Sequence, residues 1–236
     1  MLVGLRAEPS YKPPQFIQCG HDPVKREMDR PRLPGWVPPY GHLRELTSMP
    51  DVALSIGRRV LVTGMAGSGK STFSRSLAAK TGLPVIHLDV HFWKPGWVAP
   101  SEGEWREKQR GLLAGDAWIV DGNYHETLDF RVERADTISY LDMPLSVCAG
   151  RAIRRGLSKP IGEMPDGCDD SAWRRLRDEW RLAVVICRNR RSEPEREHEI
   201  ISRHGQHAAL HVLRSKRAAK QFLDRLDIEN TKADEG

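Results

Sequence analysis

No apolar run in this 236-residue chain approaches the roughly 18 residues that a bilayer-crossing helix requires. The first residues carry no apolar stretch of the secretory kind, so no signal peptide is expected. Cysteine is scarce. Cys19, Cys148, Cys168 and Cys187 stand far apart with no C-x-x-C spacing. That excludes a zinc-finger pattern and a disulfide framework, and it suits reduced thiols in a cytoplasmic protein. There is no internal repeat and no helix-turn-helix signature. The net charge of +5 is not spread evenly. From Pro144 to Arg191 there are eleven Lys/Arg against six Asp/Glu, which alone gives +5. The rest of the chain is near neutral. A local basic excess suits a polyphosphate, and charge by itself does not separate that from nucleic acid.

With 39% hydrophobic residues the chain can build a core. The first fifty positions do not take part in that pattern. They hold nine of the sixteen prolines and keep neither a helical nor an alternating period. Residues 1–56 are therefore expected to be an extended or disordered arm, with 229–236 a disordered tail. Met49 is a second possible start. The folded unit is expected over 57–228.

Gly64-Met65-Ala66-Gly67-Ser68-Gly69-Lys70-Ser71 fits G-x-x-x-x-G-K-[ST], the phosphate-binding P-loop. The apolar Arg59–Thr63 stretch before it reads as a buried strand, and Thr72–Lys80 after it as a helix stopped by Gly82. Strand, glycine loop and helix aim backbone N–H groups at an anion. ATP is expected on Gly64, Ala66, Gly67, Ser68, Gly69, Lys70, Ser71 and Thr72. Lys70 should reach the β- and γ-phosphates, and the Ser71 hydroxyl should bind Mg²⁺.

Further strands are expected at 83–88, 117–120, 137–141 and 209–213, alternating with helices. Ser101 and Glu104 form a capping box for one of these helices, and Pro144 opens another that runs to Arg155. The alternation implies a three-layer α/β/α fold with a five-stranded parallel sheet. The segment 156–170 is expected to be a small lid. An amphipathic helix over 172–189 should bury Trp173, Leu176, Trp180, Val184 and Cys187.

Ligands of an open parallel sheet bind at the carboxyl ends of the strands. That rule selects Asp89, Asp121 with Gly122, and Arg214 with Ser215. Asp121 follows an apolar strand as a Walker B carboxylate does and should bind Mg²⁺. Asp89 should accept or orient a substrate hydroxyl, with His91 a weaker candidate beside it. Phe92, Trp93 and Trp97 either stack on a substrate ring or pack a loop. Arg151, Arg154 and Arg155 end the helix before the lid, where guanidinium groups can stabilise a transferring phosphoryl group. Arg131 is a candidate grip for an anionic acceptor. Arg214 should lie near the adenine.

The P-loop, Val120-Asp121-Gly122, and Pro144 followed by Arg151 and Arg155 together resemble the nucleoside monophosphate kinase group of P-loop proteins. His87-Leu88-Asp89, Phe92-Trp93, Pro95-Gly96-Trp97 and Asp121-Gly122-Asn123-Tyr124 are similar to stretches of the adenylate-kinase-like family named DNA topology modulation protein. The resemblance spans 58–226. It implies an ATP- and Mg²⁺-dependent kinase whose catalytic set includes Lys70, Asp89, Arg151 and Arg155. Adenylate kinases carry an aromatic residue, Pro and Arg after Asp-Gly, and this chain has Asn123-Tyr124-His125 instead. A second strand ending in Asp, here Asp89, is also like shikimate and gluconate kinases. The expected partner is a small-molecule phosphoryl acceptor, with no membrane and a monomer or weak dimer as the working state. The alternative is an ATP-binding or ATP-hydrolysing regulator that contacts nucleic acid through the basic helix.

Overall fold

The computed structural model describes residues 54–95, 98–157, 183–184, 187–188 and 192–226, the side chains of 155–157 excepted. Five strands form one parallel sheet: β1 (Arg59–Thr63), β2 (Val85–His87), β3 (Trp118–Asp121), β4 (Thr137–Tyr140) and β5 (Ala209–Val212). Their order is β2-β3-β1-β4-β5, so the strand that feeds the P-loop is central. The helices are α1 (Lys70–Thr81), α2 (Leu88–Phe92), α3 (Glu102–Leu112), α4 (Leu128–Arg134), α5 (Leu145–Leu157), α6 (Ser192–His204) and α7 (Lys216–Asp224).

The strands are apolar on both faces because both faces are covered. Val60, Val62 and Ile119 point to one side, where Phe73 and Leu77 of α1, Cys148 and Ala152 of α5 and Phe222 of α7 pack. Leu61, Val120, Ile138 and Tyr140 point to the other. There they meet Leu88 of α2, Trp105 of α3, Leu128 and Val132 of α4 and Ile201 of α6. This is the three-layer α/β/α architecture expected from the alternation of strands and helices.

Local signals act as read. Ser101 caps α3 in a complete capping box with Glu104. Ser215 caps α7 by accepting from the Ala218 N–H. Gly82 closes α1 in the left-handed region, where glycine is free of strain.

Four expectations need correction. β2 is shorter than 83–88, and Asp89 lies in the first turn of α2 rather than at a strand end. The reason is register: His87 pairs with Asp121, the last residue of β3, so β2 has no partner beyond that point. Two described positions of the 172–189 helix run against the apolar stripe. Val184 is 45% exposed and Cys187 is exposed, whereas Ala183 is buried in the core beside Met143 and Cys148. Neighbouring helical residues point about 100° apart, so a small shift of phase exchanges which one is buried. The rest of that helix lies outside the described residues, as do 158–170 of the expected lid, whose first two positions are the end of α5. Finally, the packed unit includes residues before 57. The Leu54 N–H donates to the Arg225 carbonyl at 2.9 Å, and Ile56 is buried.

One buried group makes the fold acid-sensitive. The His211 ring packs against Phe222 at 4.9 Å, and its buried Nε2 has no hydrogen-bond partner. Burial pulls its pKa from 6.5 down to about 4. The unfolded chain therefore takes up the proton first. Stability is complete above pH 6.5 and declines as the pH falls towards 4, by on the order of 2 kcal/mol. Urea melts from pH 7 to pH 4 should show this decline, and His211→Phe should flatten it. An equal slope in both proteins would show that His211 is not the cause.

Candidate active site

Phosphate-transfer chemistry requires a cradle for the triphosphate, a cation at its β/γ end and oxygen donors for a metal. β1 ends at Thr63, and Gly64, Gly67 and Gly69 turn the chain at φ 128°, 78° and 101° into α1. Only glycine holds these angles without strain. At Gly64 there is also no room for more, because an added Cβ would come within 2.5 Å of the Leu141 carbonyl oxygen on the strand beside it. Lys70 begins α1, and its Nζ donates to the carbonyls of Gly64 and Met65 at 2.7 and 3.1 Å. The ammonium thus lies across the loop. Burial lowers its pKa, while the nearby carboxylates of Glu197, Asp89, Asp121 and Glu193 oppose that shift.

Asp121 is 98% buried at the end of β3 and faces Ser71, whose hydroxyl donates to Oδ1 at 3.4 Å. Its Oδ2 meets His87 Nδ1 at 2.8 Å. This hydrogen bond raises the His87 pKa, with burial pulling the other way. A hydroxyl and a carboxylate side by side at the phosphate end of the loop are the hard oxygen donors that Mg²⁺ takes. The donor set therefore fits that ion. Among the described residues no group of three or more His, Cys, Asp or Glu forms a metal site by itself, so phosphate oxygens or water would have to complete the shell.

Asp121 leads into Gly122 at φ 143°, where a Cβ would meet that of Leu88 at 2.8 Å. The loop then runs through Asn123 and Tyr124 to a 3-10 turn, His125–Thr127. The loop is anchored from below by Arg131. Its guanidinium is fully buried and donates to the carbonyls of Gly122, Asn123, Tyr124 and Thr127 at 2.7 to 3.4 Å. Burial lowers its pKa to about 10. Arg131 is therefore a structural clasp, and the expectation that it grips an acceptor is overturned. Its donors are committed to backbone oxygens, and among the described residues that of Tyr124 also accepts from Thr127.

Asp89 is exposed on α2, near enough for its charge to act on Lys70, and its Oδ1 accepts from the Tyr124 hydroxyl at 2.9 Å. Burial and the Asp89 charge both push the Tyr124 pKa upward. The aromatic patch splits. Phe92 packs between Tyr124 (4.6 Å) and Trp105 (5.1 Å) as part of the core, and Trp93 meets its edge at 4.9 Å. Trp97 lies outside the described residues. The loop-packing alternative is thus the one that describes Phe92.

Arg151 reaches the P-loop directly. Its guanidinium donates to the Gly67 carbonyl at 3.3 Å and to the Ser68 carbonyl. The Arg155 side chain is outside the described residues. Arg214 is exposed after β5, with Nε 3.5 Å from an Asp142 carboxylate oxygen. His91 offers its backbone carbonyl to Lys108 at 2.5 Å. Sequence reasoning missed His87, and it missed Glu197 of α6. Glu197 is 1% exposed and meets both Thr63 and His125. A charged residue in a polar helix gives no sign of burial. The one available hint was that Glu197 shares a helical face with Ile201, four residues on.

With that geometry in place, comparison with known proteins is informative. The sequence is similar to a shikimate kinase. The protein so named from Salinibacter ruber (strain DSM 13855 / M31) is 28% identical over 188 residues, which covers 71% of this chain and 82% of the relative. Three solved structures are also similar. A shikimate kinase from Bacteroides thetaiotaomicron has 18% identity and a TM-score of 0.42, covering 71% of this chain and 94% of its own. A shikimate kinase from Acinetobacter baumannii, solved in complex with shikimate, has 17% identity and a TM-score of 0.41, covering 70% and 88%. A sugar kinase from Janibacter sp. HTCC2649, unliganded, has 20% identity and a TM-score of 0.37, covering 72% and 91%. No family model matches the chain. No helix among the described residues is long and apolar enough to cross a membrane.

Proposed function

We propose that this protein is an ATP-dependent phosphotransferase that moves the γ-phosphoryl group to a hydroxyl of a small molecule. The observation that carries the reading is the convergence on the P-loop of Lys70, the Ser71–Asp121 oxygen pair and the exposed carboxylate of Asp89, near enough for its charge to act on Lys70. A bare nucleotide-binding loop would need only the first two. The likeness to a shikimate kinase, an enzyme named for a hydroxy-compound acceptor, supports the same reading.

In this reading the backbone amides of Gly64 to Ser71 bind the triphosphate, and Lys70 leaves the loop carbonyls to neutralise β/γ charge. Ser71 and Asp121 are the residues that would hold Mg²⁺, and the ion would supply positive charge against the phosphates. Asp89 orients the acceptor hydroxyl for in-line attack. Arg151, already at the loop, stabilises the transferring oxygens, with Arg155 as its expected companion. Arg214 and Ser215, which follow β5, are proposed to border the adenine.

The test is a screen of hydroxy compounds, sugars, nucleosides and nucleoside monophosphates for ADP release above the rate with water. With the acceptor found, Asp89→Asn should lower transfer by about 10²-fold and leave the slow hydrolysis in water unchanged. Equal loss of both activities would remove Asp89 from the acceptor side. Steeply salt-dependent duplex binding that persists in a Lys70 variant would favour the nucleic-acid regulator instead.

A further inference from the structure

The phosphotransferase reading makes no use of Glu197, the most deeply buried carboxylate near the loop. It projects from α6 with 1% exposure. Oε1 accepts from the Thr63 hydroxyl at 3.3 Å, one residue before the P-loop, and faces His125 Nε2 at 3.2 Å. Oε2 is buried with no hydrogen-bond partner among the described residues. Taking a carboxylate out of water is costly unless something compensates for it. Lys70 and Arg131 both lie close enough for Glu197 to favour their charged forms. Helix packing alone would be served better by an apolar side chain, so the position calls for a task.

His125 occupies the 3-10 turn just past the carboxyl end of β3, the edge of the sheet where ligands bind. Its side chain is 14% exposed. An ionised carboxylate can only accept, so the hydrogen-bond network assigns the proton to Nε2 and leaves the Nδ1 lone pair available. A carboxylate that fixes a histidine tautomer and stabilises the imidazolium form is the standard support for a general base. We propose that His125 and Glu197 form an acid–base pair for the acceptor hydroxyl, with His125 taking the proton and Glu197 positioning it.

This rests on the phosphotransferase reading and adds a step to it. The acceptor oxygen attacks the γ-phosphorus, and the bond from that phosphorus to the β–γ bridging oxygen breaks with its electron pair leaving on ADP. The hydroxyl proton passes to His125 Nδ1, and Glu197 stabilises the resulting imidazolium. Asp89 then orients the hydroxyl from the α2 side. The titratable and charged groups around the pair include Lys70 from α1, Arg131 from α4, His198 one residue from Glu197 on α6, Glu126 beside His125, and Asp89 through its bond to Tyr124.

The test is a pH–rate profile of ADP release under saturating ATP·Mg²⁺, with the best acceptor from the screen or with water alone, alongside nucleotide affinity and melting temperature. His125→Gln should lower turnover about 30-fold and abolish the acid limb of the profile, with ATP affinity unchanged. Glu197→Gln keeps an acceptor for Thr63 and His125 but loses the charge. It should move that limb to lower pH and slow turnover about tenfold. If both variants keep the wild-type limb, with only the melting temperature changed, Glu197 and His125 are structural and the inference falls alone. If the wild-type protein binds no ATP·Mg²⁺, the phosphotransferase reading falls and takes this inference with it.

Discussion

Replacing Lys70 with methionine should lower ADP release by about 10² to 10³-fold while leaving the fold intact. In the proposed reaction Lys70 is the P-loop side chain whose charge meets the triphosphate. Its ammonium already lies across the Gly64 and Met65 carbonyls, within hydrogen-bond distance of both. Methionine keeps most of the apolar stem and removes the charge. Because burial works against the ammonium, its loss relieves a desolvation penalty, and the melting temperature should hold or rise. The separation of the two readouts is the point of the experiment. Turnover by the variant at the wild-type rate would mean that transfer does not pass through this loop. A collapse of the fold, seen as lost far-ultraviolet circular dichroism, would instead make Lys70 a structural brace.

Arg131→Met should be the most destabilising single change in the site, at about 3 kcal/mol. The guanidinium satisfies carbonyls at Gly122, Asn123, Tyr124 and Thr127. Methionine fills the volume and removes the donors to these oxygens, with Thr127 still bonding that of Tyr124. For a unit of this size the loss corresponds to a fall in melting temperature of roughly 6–12 °C. Arg131→Lys should not rescue it, because one ammonium lacks the planar fork that spans several carbonyls. Activity should fall further than stability, since Asp121 and His125 stand at the two ends of the clasped loop. A melting temperature within a degree of wild type would show that water replaces the guanidinium without cost. It would also reopen Arg131 to a role in ligand binding.

The contrast between these two residues shows where sequence reading works. Lys70 is identified by its neighbours in the chain, since the glycines, the strand before and the helix after are all within a few residues. Arg131 carries the same charge and stands in a helix that reads as ordinary. Nothing nearby distinguishes a solvated guanidinium from one folded under a loop eight residues away. The expectation for Arg131 looked to anion binding, and the competing demand of the loop carbonyls prevailed.

The same division holds for the rest of the molecule. Local physics determined what the sequence made legible: the turn at Gly64–Ser71, the strand periodicity, the caps at Ser101 and Ser215, and Asp121 at a strand end. Each depends on residues close together in the chain. The tertiary structure alone decided what depends on strand order. Placing β3 between β2 and β1 brings His87 to Asp121 across 34 positions. Packing α6 against the face of β1 and β4 brings Glu197 to Thr63 across 134 positions and to His125 across 72. A buried charge is chosen by its partners, and here those partners are distant in the chain, so no window of sequence contained them.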